Sequence, residues 1–170
     1  MSWFTLVLRV LHVGGGVFWA GATFMLAGFV EPAAAAAGAD GGRFVQRLAG
    51  GRYPIVVAAV ALVSIAAGVW LLSIDSAGFQ PAFMRSGLGV TLSIGALCAL
   101  LAAVIGIGVS GRTAAQLKRV AAAVPGQPGG PSPEQLARVV ALQGRLRTGG
   151  RLTAMLLGVT VVCMAIARYV

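Results

Sequence analysis

Residues 3–30 read WFTLVLRVLHVGGGVFWAGATFMLAGFV and form one apolar segment that is long enough to cross a bilayer as a helix. In alternating steps of four and three residues, its polar or unusual side chains fall on one stripe: Thr5, Arg9, His12, Gly16, Trp19 and Thr23. An ionisable group in hydrocarbon costs at least ~2.5 kcal/mol, so such residues normally face a bundle interior and mark a functional site. The segment therefore predicts a transmembrane helix that forms one wall of a site.

Three further apolar segments, at 55–74, 88–109 and 152–167, are also suited to crossing a membrane. The whole chain of 170 residues is 58% hydrophobic and 10% charged, with a mean hydropathy of +0.92, which is too apolar for a soluble domain of this size. We predict an all-α integral membrane four-helix bundle, a single domain over 1–170, with helices at about 3–30, 54–75, 86–124 and 133–169. The first segment contains Arg9 and is too long for a signal peptide, so we expect it to be retained.

The net charge of +9 comes from basic residues that cluster in two connections between the apolar segments. Under the positive-inside rule both connections are cytoplasmic, and both termini and the 75–85 loop lie outside. This arrangement predicts the lipid bilayer as the partner and argues against nucleic acid. The residues concerned are Arg43, Arg47 and Arg52 in the first connection, and Arg112, Lys118, Arg119, Arg138, Arg145, Arg147 and Arg151 in the second.

The two basic connections differ in their predicted structure. In the first, the Ala/Gly-rich stretch 33–42 is typical of a loop, and 43–48 could form a short interfacial turn of helix. In the second, good helix formers continue from 112 to 124, and 125–131 is a Pro/Gly linker. Ser132, Pro133 and Gln135 then predict a capped new helix that runs through or bends at Gly149 and Gly150. A helical hairpin should therefore extend into the cytoplasm between the third and fourth helices.

Arg9 and His12 are the strongest candidates for chemistry, because a spacing of three places them side by side on one helix face. His12 could ligate a metal or a haem iron while Arg9 holds a propionate or another anion. Alternatively, Arg9 snorkels to the outer headgroups and His12 donates a hydrogen bond to a neighbouring helix. The glycines 14–16 could leave room for a flat macrocycle beside Trp19, although close helix packing explains them as well.

A second candidate set consists of Cys98, Cys163 and Met164, which lie within about two helical turns of the depth of His12. Imidazole, thiolate and thioether together would suit Cu(I). The alternatives are that each cysteine is a small buried hydrophobe or that Cys98 and Cys163 form a disulfide. We find no intramembrane carboxylates of the kind that ion-coupled transporters need, and no catalytic triad, zinc signature or nucleotide loop.

The run Leu8-Arg9-Val10-Leu11-His12, followed by Gly16, Phe18-Trp19 and Gly21, resembles the first helix of small bacterial membrane proteins around the copper-resistance D-type domain and of HemJ-type protoporphyrinogen oxidases. The resemblance implies a bacterial inner-membrane location and a haem b or copper ligand at His12. Because His12 is the only histidine, a bis-histidine haem within one chain is impossible. The sixth ligand would be Met or Cys, an open position, or His12 of a second subunit.

Two functional hypotheses follow. The leading one is a protein that binds haem b or copper through His12, with Arg9, Gly16 and Trp19 contacting the cofactor, and that works in electron transfer, porphyrin oxidation or metal handling. The other is a non-catalytic accessory subunit whose small-residue seams pack against partner helices. Either would be part of a homo-oligomer or of a larger membrane complex.

Overall fold

A computed structural model describes residues 2–122 and 132–170, and within these ranges the chain forms helices and short turns but no strand. Four helices are long and apolar enough to cross a membrane: Trp3–Ala36, Tyr53–Asp75, Gly87–Val120 and Pro133–Tyr169. The prediction of an all-helical chain with four candidate membrane-spanning helices is therefore confirmed. The predicted linker 125–131 and the predicted helix end at 123–124 lie outside the described residues.

The helices are numbered here in chain order. Two of the crossing helices contain a π-helical turn. The helix α1 consists of Trp3–Met25, a π-helical turn Leu26–Val30 and Glu31–Ala36; α2 is Gly38–Gly50; α3 is Tyr53–Asp75; α4 is Pro81–Met84; α5 consists of Gly87–Ala103, a π-helical turn Val104–Ser110 and Gly111–Ala122; and α6 is Pro133–Ile166, closed by a 3-10 turn Ala167–Tyr169.

The predicted loop at 33–42 is wrong. The helix α1 continues to Ala36, and α2 begins at Gly38, so only a single turn residue separates them. Alanine is the strongest helix former, and this favours continuation of α1 beyond the π-helical turn. The reversal occurs at Gly38, which has a φ of +63° that a residue with a side chain rarely adopts. Gly41 then lies against the backbone of Ala34, and α2 folds back along the end of α1.

The predicted start of the last long helix is confirmed. The Ser132 hydroxyl accepts the Gln135 backbone N–H at 3.2 Å, and the Gln135 side chain accepts the Ser132 N–H at 2.9 Å, which completes a capping box. From there α6 continues without a break through Gly149 and Gly150. Its N-terminal turns pack against the segment Gly111–Ala122 of α5, so the two helices form a hairpin beyond the apolar part of the chain.

Each crossing helix packs against its neighbours in sequence, and α1 also packs against α6, so the four helices form a closed ring. The most extensive contacts are between α1 and α3 and between α5 and α6. Small residues fill the centre of the bundle around a single large ring, since Trp19 is only 6% exposed. It lies in a cluster with Ala20, Ala61, Ala102, Ala103 and Leu157.

The large apolar side chains point mainly away from the bundle. Trp3 is 81% exposed, Ile55 70% and Val17 69%, and many other Leu, Val and Phe side chains share this orientation. Small residues at helix contacts and large apolar residues outside are typical of helices packed in lipid, where burial of apolar surface does not drive association. Together with the four long apolar helices, this distribution indicates a multi-pass membrane protein.

Candidate functional site

His12 lies half-buried at the contact between α1 and α3, where it forms a reciprocal pair with Ser64. Its Nδ1 is 2.9 Å from the Ser64 carbonyl oxygen, and the Ser64 hydroxyl donates to the His12 carbonyl oxygen at 2.8 Å. Because a carbonyl can only accept, Nδ1 must carry the proton in this contact. In the neutral ring, Nε2 is then the nitrogen with a free lone pair.

Gly68 holds the ring from the side of α3, one turn beyond Ser64. A Cβ atom at position 68 would lie 2.6 Å from both Cε1 and Nδ1 of His12, so only glycine leaves space for the imidazole there. The same Cβ would be 3.4 Å from Nε2. Among the residues that the structure describes, Nε2 takes part in no hydrogen bond. The ring is therefore held by the hydrogen bond from Nδ1 and by the close approach of α3 at Gly68, and the Nε2 lone pair stays unused in the described part of the chain.

The glycines beside His12 are used for packing. A Cβ at Gly15 would be 3.0 Å from Ser64 Cβ, and one at Gly16 would be 3.6 Å from Ser64 Oγ, whereas one at Gly14 would meet no atom within 4 Å. Gly15 and Gly16 thus let α3 approach α1 closely, and they leave no gap for a macrocycle between these two helices. Trp19 lies deeper, in the central core cluster.

Arg9 is exposed on α1, one turn before His12 and on the same helix face. The neighbouring residue Leu8 instead points inward, where it packs in a small cluster with Ala67 and Leu71 of α3. The guanidinium is therefore displayed on the outer surface of α1 near the level of His12. This position is compatible with both sequence-based interpretations of Arg9.

The sulfur residues belong to the other helix pair. Cys98 and Cys163 are half-buried free thiols, so the disulfide alternative is not observed. Cys163 and Met164 pack on Gly95 of α5, where a Cβ would lie 3.0 Å from Cys163 Cβ and 3.2 Å from Met164 Cε. Within 2–122 and 132–170, no group of three or more His, Cys, Asp or Glu residues could hold a metal ion. His12, Cys98 and Cys163 are therefore not gathered into one copper site.

Glu31 is a residue whose position sequence reasoning missed. It is half-buried near the end of α1, and its Oε1 lies 3.5 Å from the position that a Cβ at Gly150 would take on α6. Arg147 and Arg151 of α6 attract its carboxylate. Nearby, the Tyr53 hydroxyl donates to the Ala22 carbonyl oxygen at 2.9 Å and joins α3 to α1. The sequence feature that could have identified Glu31 is that it is a single carboxylate directly after the first apolar segment, in a chain whose last connection is strongly basic.

An imidazole anchored through Nδ1 presents Nε2 as a possible ligand for a haem iron or a metal ion, and Arg9 lies on the same helix. In the described part of the chain, no group of three or more His, Cys, Asp or Glu residues surrounds it. Comparison with known proteins gives no match to any protein-family model, to any curated protein or to any solved structure.

Proposed function

We propose that this chain is a multi-pass protein of the bacterial inner membrane that binds haem b through Nε2 of His12. The observation that supports this proposal is the 2.9 Å contact between Nδ1 and the Ser64 carbonyl oxygen. A hydrogen bond from the other ring nitrogen to a backbone carbonyl is how proteins commonly orient a ligating imidazole, fix its tautomer and raise its basicity. His12 has this support from α3 before any cofactor is considered.

Three further residues, Ser64, Gly68 and Arg9, would support the ligand or contact the cofactor. Ser64 and Gly68 hold the imidazole in one orientation, and Arg9 offers a guanidinium fork that suits a propionate. The haem iron, when bound, would supply one-electron redox chemistry. Because Gly15 and Gly16 close the contact between α1 and α3, the cofactor has to approach His12 from outside this helix pair. This favours a site shared with a second copy of the chain, whose His12 could also ligate the haem iron.

The proposed orientation in the membrane follows from charge. The basic residues of α2 and of the hairpin between α5 and α6 would lie in the cytoplasm, and both termini would lie outside. His12 would then be closer to the outer leaflet, where an electron-transfer or porphyrin-oxidising partner could reach it. Copper handling is a weaker version of this proposal, because its soft ligands would have to come from another chain.

A second candidate function is a non-catalytic accessory subunit. The reciprocal hydrogen bonds between His12 and Ser64 already make a satisfied contact between two membrane helices, and such a contact needs no cofactor to explain it. In this case the exposed apolar faces of the bundle would pack against partner helices, and the basic hairpin would dock onto a larger complex.

The test is an optical spectrum of the purified protein, expressed with haem supplementation, before and after reduction with dithionite. We expect a Soret band that shifts on reduction, disappears in His12→Ala and persists in Gly14→Ala, because a Cβ at position 14 meets no neighbouring atom. Added imidazole should restore the band in His12→Ala, and this would separate loss of the ligand from loss of the fold.

A colourless and metal-free protein would contradict the haem proposal. If His12→Ala then assembles as the unmodified chain does, the accessory-subunit function is favoured. Metal analysis of the same sample separates the copper version, since copper without a Soret band would replace haem as the cofactor.

A further inference from the structure

A cleft lies between the two helices of the hairpin, well away from His12. Its lining consists of Gln116, Arg119 and Val120 from α5, with Gln135 and Arg138 from the first turns of α6. Its volume is about 430 Å³, and small-ligand sites typically have volumes of roughly 300–1,000 Å³. Two arginines from two different helices therefore face a cavity that could hold a small molecule.

The described residues that line this cleft include no carboxylate. Within 2–122 and 132–170, neither Arg119 nor Arg138 forms an ion pair. Glu134 precedes Arg138 by one turn of α6 but does not come within ion-pair distance of it. The chain contains four acidic residues against thirteen basic ones, so most of the basic charge can be neutralised only from outside.

The other three acidic residues are engaged or distant. Glu31 lies against α6 at Gly150, Asp40 pairs with Arg43 at 3.6 Å on the surface of α2, and Asp75 ends α3. The connection between the two hairpin helices, residues 123–131, contains no acidic residue in its sequence. In the described part of the chain, none of the four carboxylates pairs with Arg119 or Arg138, and Glu134 is the only one on the two hairpin helices.

The polar groups of the cleft are suited to donating hydrogen bonds. The Gln135 side-chain oxygen is already used by the Ser132 N–H, which leaves its amide NH₂ as a donor. The two guanidinium groups present planar forks that match the oxygens of phosphate. The start of the long helix α6 lies beside them and carries a partial positive charge, which the exposed Glu134 in its first turn partly offsets. Each of these features favours an oxyanion.

We propose that this cleft binds a soluble phosphate-bearing ligand, and that the hairpin is its receptor on the chain. The alternative source of phosphate is a lipid headgroup. Arg119 lies nine residues beyond Ser110, where the apolar part of α5 ends, and this places it ~14 Å farther along the helix axis. That distance favours a soluble ligand over the membrane surface. The proposal does not depend on a cofactor at His12.

The test is calorimetric titration of the full chain with inorganic phosphate and with pyrophosphate, in zwitterionic micelles without phospholipid and at about 0.15 M ionic strength. We expect saturable binding of at least one probe. Arg119→Gln and Arg138→Gln should each weaken it by about tenfold or more, because each removes a charge-assisted contact. Lys118→Gln and Arg145→Gln are matched controls on the same two helices, since neither residue lines the cleft, and they should leave binding almost unchanged.

Absence of saturable binding to either probe would overturn the proposal. So would an equal loss in the cleft variants and the controls, because it would reduce the effect to general electrostatic attraction. The lipid source is separated in nanodiscs, where added phosphatidylglycerol should not compete with pyrophosphate. Competition by the lipid, with lipid retention lost in Arg119→Gln, would assign the cleft to headgroups and contradict the soluble ligand.

Discussion

His12 and Ser64 exchange hydrogen bonds through one side chain and one backbone carbonyl each. In membrane proteins an interhelical hydrogen bond contributes on average ~0.6 kcal/mol and at most ~1.7 kcal/mol. The pair therefore adds only a small amount to the free energy of unfolding, and its main effect is to orient the imidazole. It fixes which ring nitrogen is protonated, and this determines whether Nε2 is available as a ligand.

Gly68→Ala tests how firmly the imidazole is held. The new methyl group would meet His12 Cε1 and Nδ1 at 2.6 Å, so the ring has to move and its bond to Ser64 is lost. We expect the free energy of unfolding, measured by titration with SDS, to fall by about 1–3 kcal/mol, which is typical of overpacking.

Gly14→Ala is the matched control for that variant, because no atom lies within 4 Å of its added methyl group. We expect Gly14→Ala to retain or slightly raise stability, since alanine is the better helix former. Equal stability of the two variants would contradict the close contact between the ring and α3. In a haem-loaded protein, only Gly68→Ala should also alter the Soret band.

At the scale of the helices, α5 meets α6 where a buried hydroxyl faces a glycine. Ser110, at the end of the π-helical turn of α5, has a buried Oγ that finds no hydrogen-bond partner in the described part of the chain. A Cβ at Gly149 of α6 would lie 2.7 Å from this oxygen. The contact between the two helices therefore depends on the absence of a side chain at position 149.

Ser110→Ala is expected to raise the free energy of unfolding by about 1 kcal/mol, because it removes a buried polar group that is not hydrogen-bonded. Gly149→Ala is expected to lower it, and the loss should be smaller when Ser110→Ala is also present. A double-mutant cycle on the same SDS titration measures this coupling.

Gly158→Ala is the control on α6, since an added methyl group there meets no atom within 4 Å. No coupling of Gly158→Ala to Ser110→Ala is expected. If Gly149→Ala were equally uncoupled, the close approach of Ser110 to α6 would be refuted.

For the whole molecule, closure of the ring between the first and last crossing helices involves Glu31. The carboxylate is half-buried and is attracted by Arg147 and Arg151 of α6. Removing only one partner of a partly buried pair of charges leaves the other charge uncompensated. This lowers the free energy of unfolding more than replacing both charged side chains does.

Arg151→Gln is therefore expected to lower the free energy of unfolding by about 1 kcal/mol or less, because the site is half-exposed and screened by water. Adding Glu31→Gln to this variant should restore most of the loss. The measurement is again titration with SDS, here at low and high salt, and the effect should shrink at high salt. Arg145→Gln is the control, because Arg145 lies two residues before Arg147 and therefore on a different side of α6. A similar loss in this control, or no rescue by Glu31→Gln, would argue against the interaction.

The four crossing helices and the capped start of α6 could be read from the sequence, because apolar length and capping depend on residues that are neighbours in the chain. Ala61, Ser64 and Gly68 follow one another at steps of three and four residues, so the face of small residues that they share on α3 also depends on local sequence alone. Local propensity was misjudged at 33–42, where the strong helix tendency of alanine extended α1 to Ala36.

The partners of these residues depended on tertiary structure. Sequence placed His12 on a polar stripe, but only the packing of α1 against α3 brought it to Ser64 and Gly68, 52 and 56 residues away along the chain. The same packing directed Gly15 and Gly16 to α3 and left Cys163 and Met164 between α5 and α6. Depth in a membrane can be counted along a helix, whereas the side on which a residue meets its neighbours is set by the rotation and pairing of helices that are far apart in sequence.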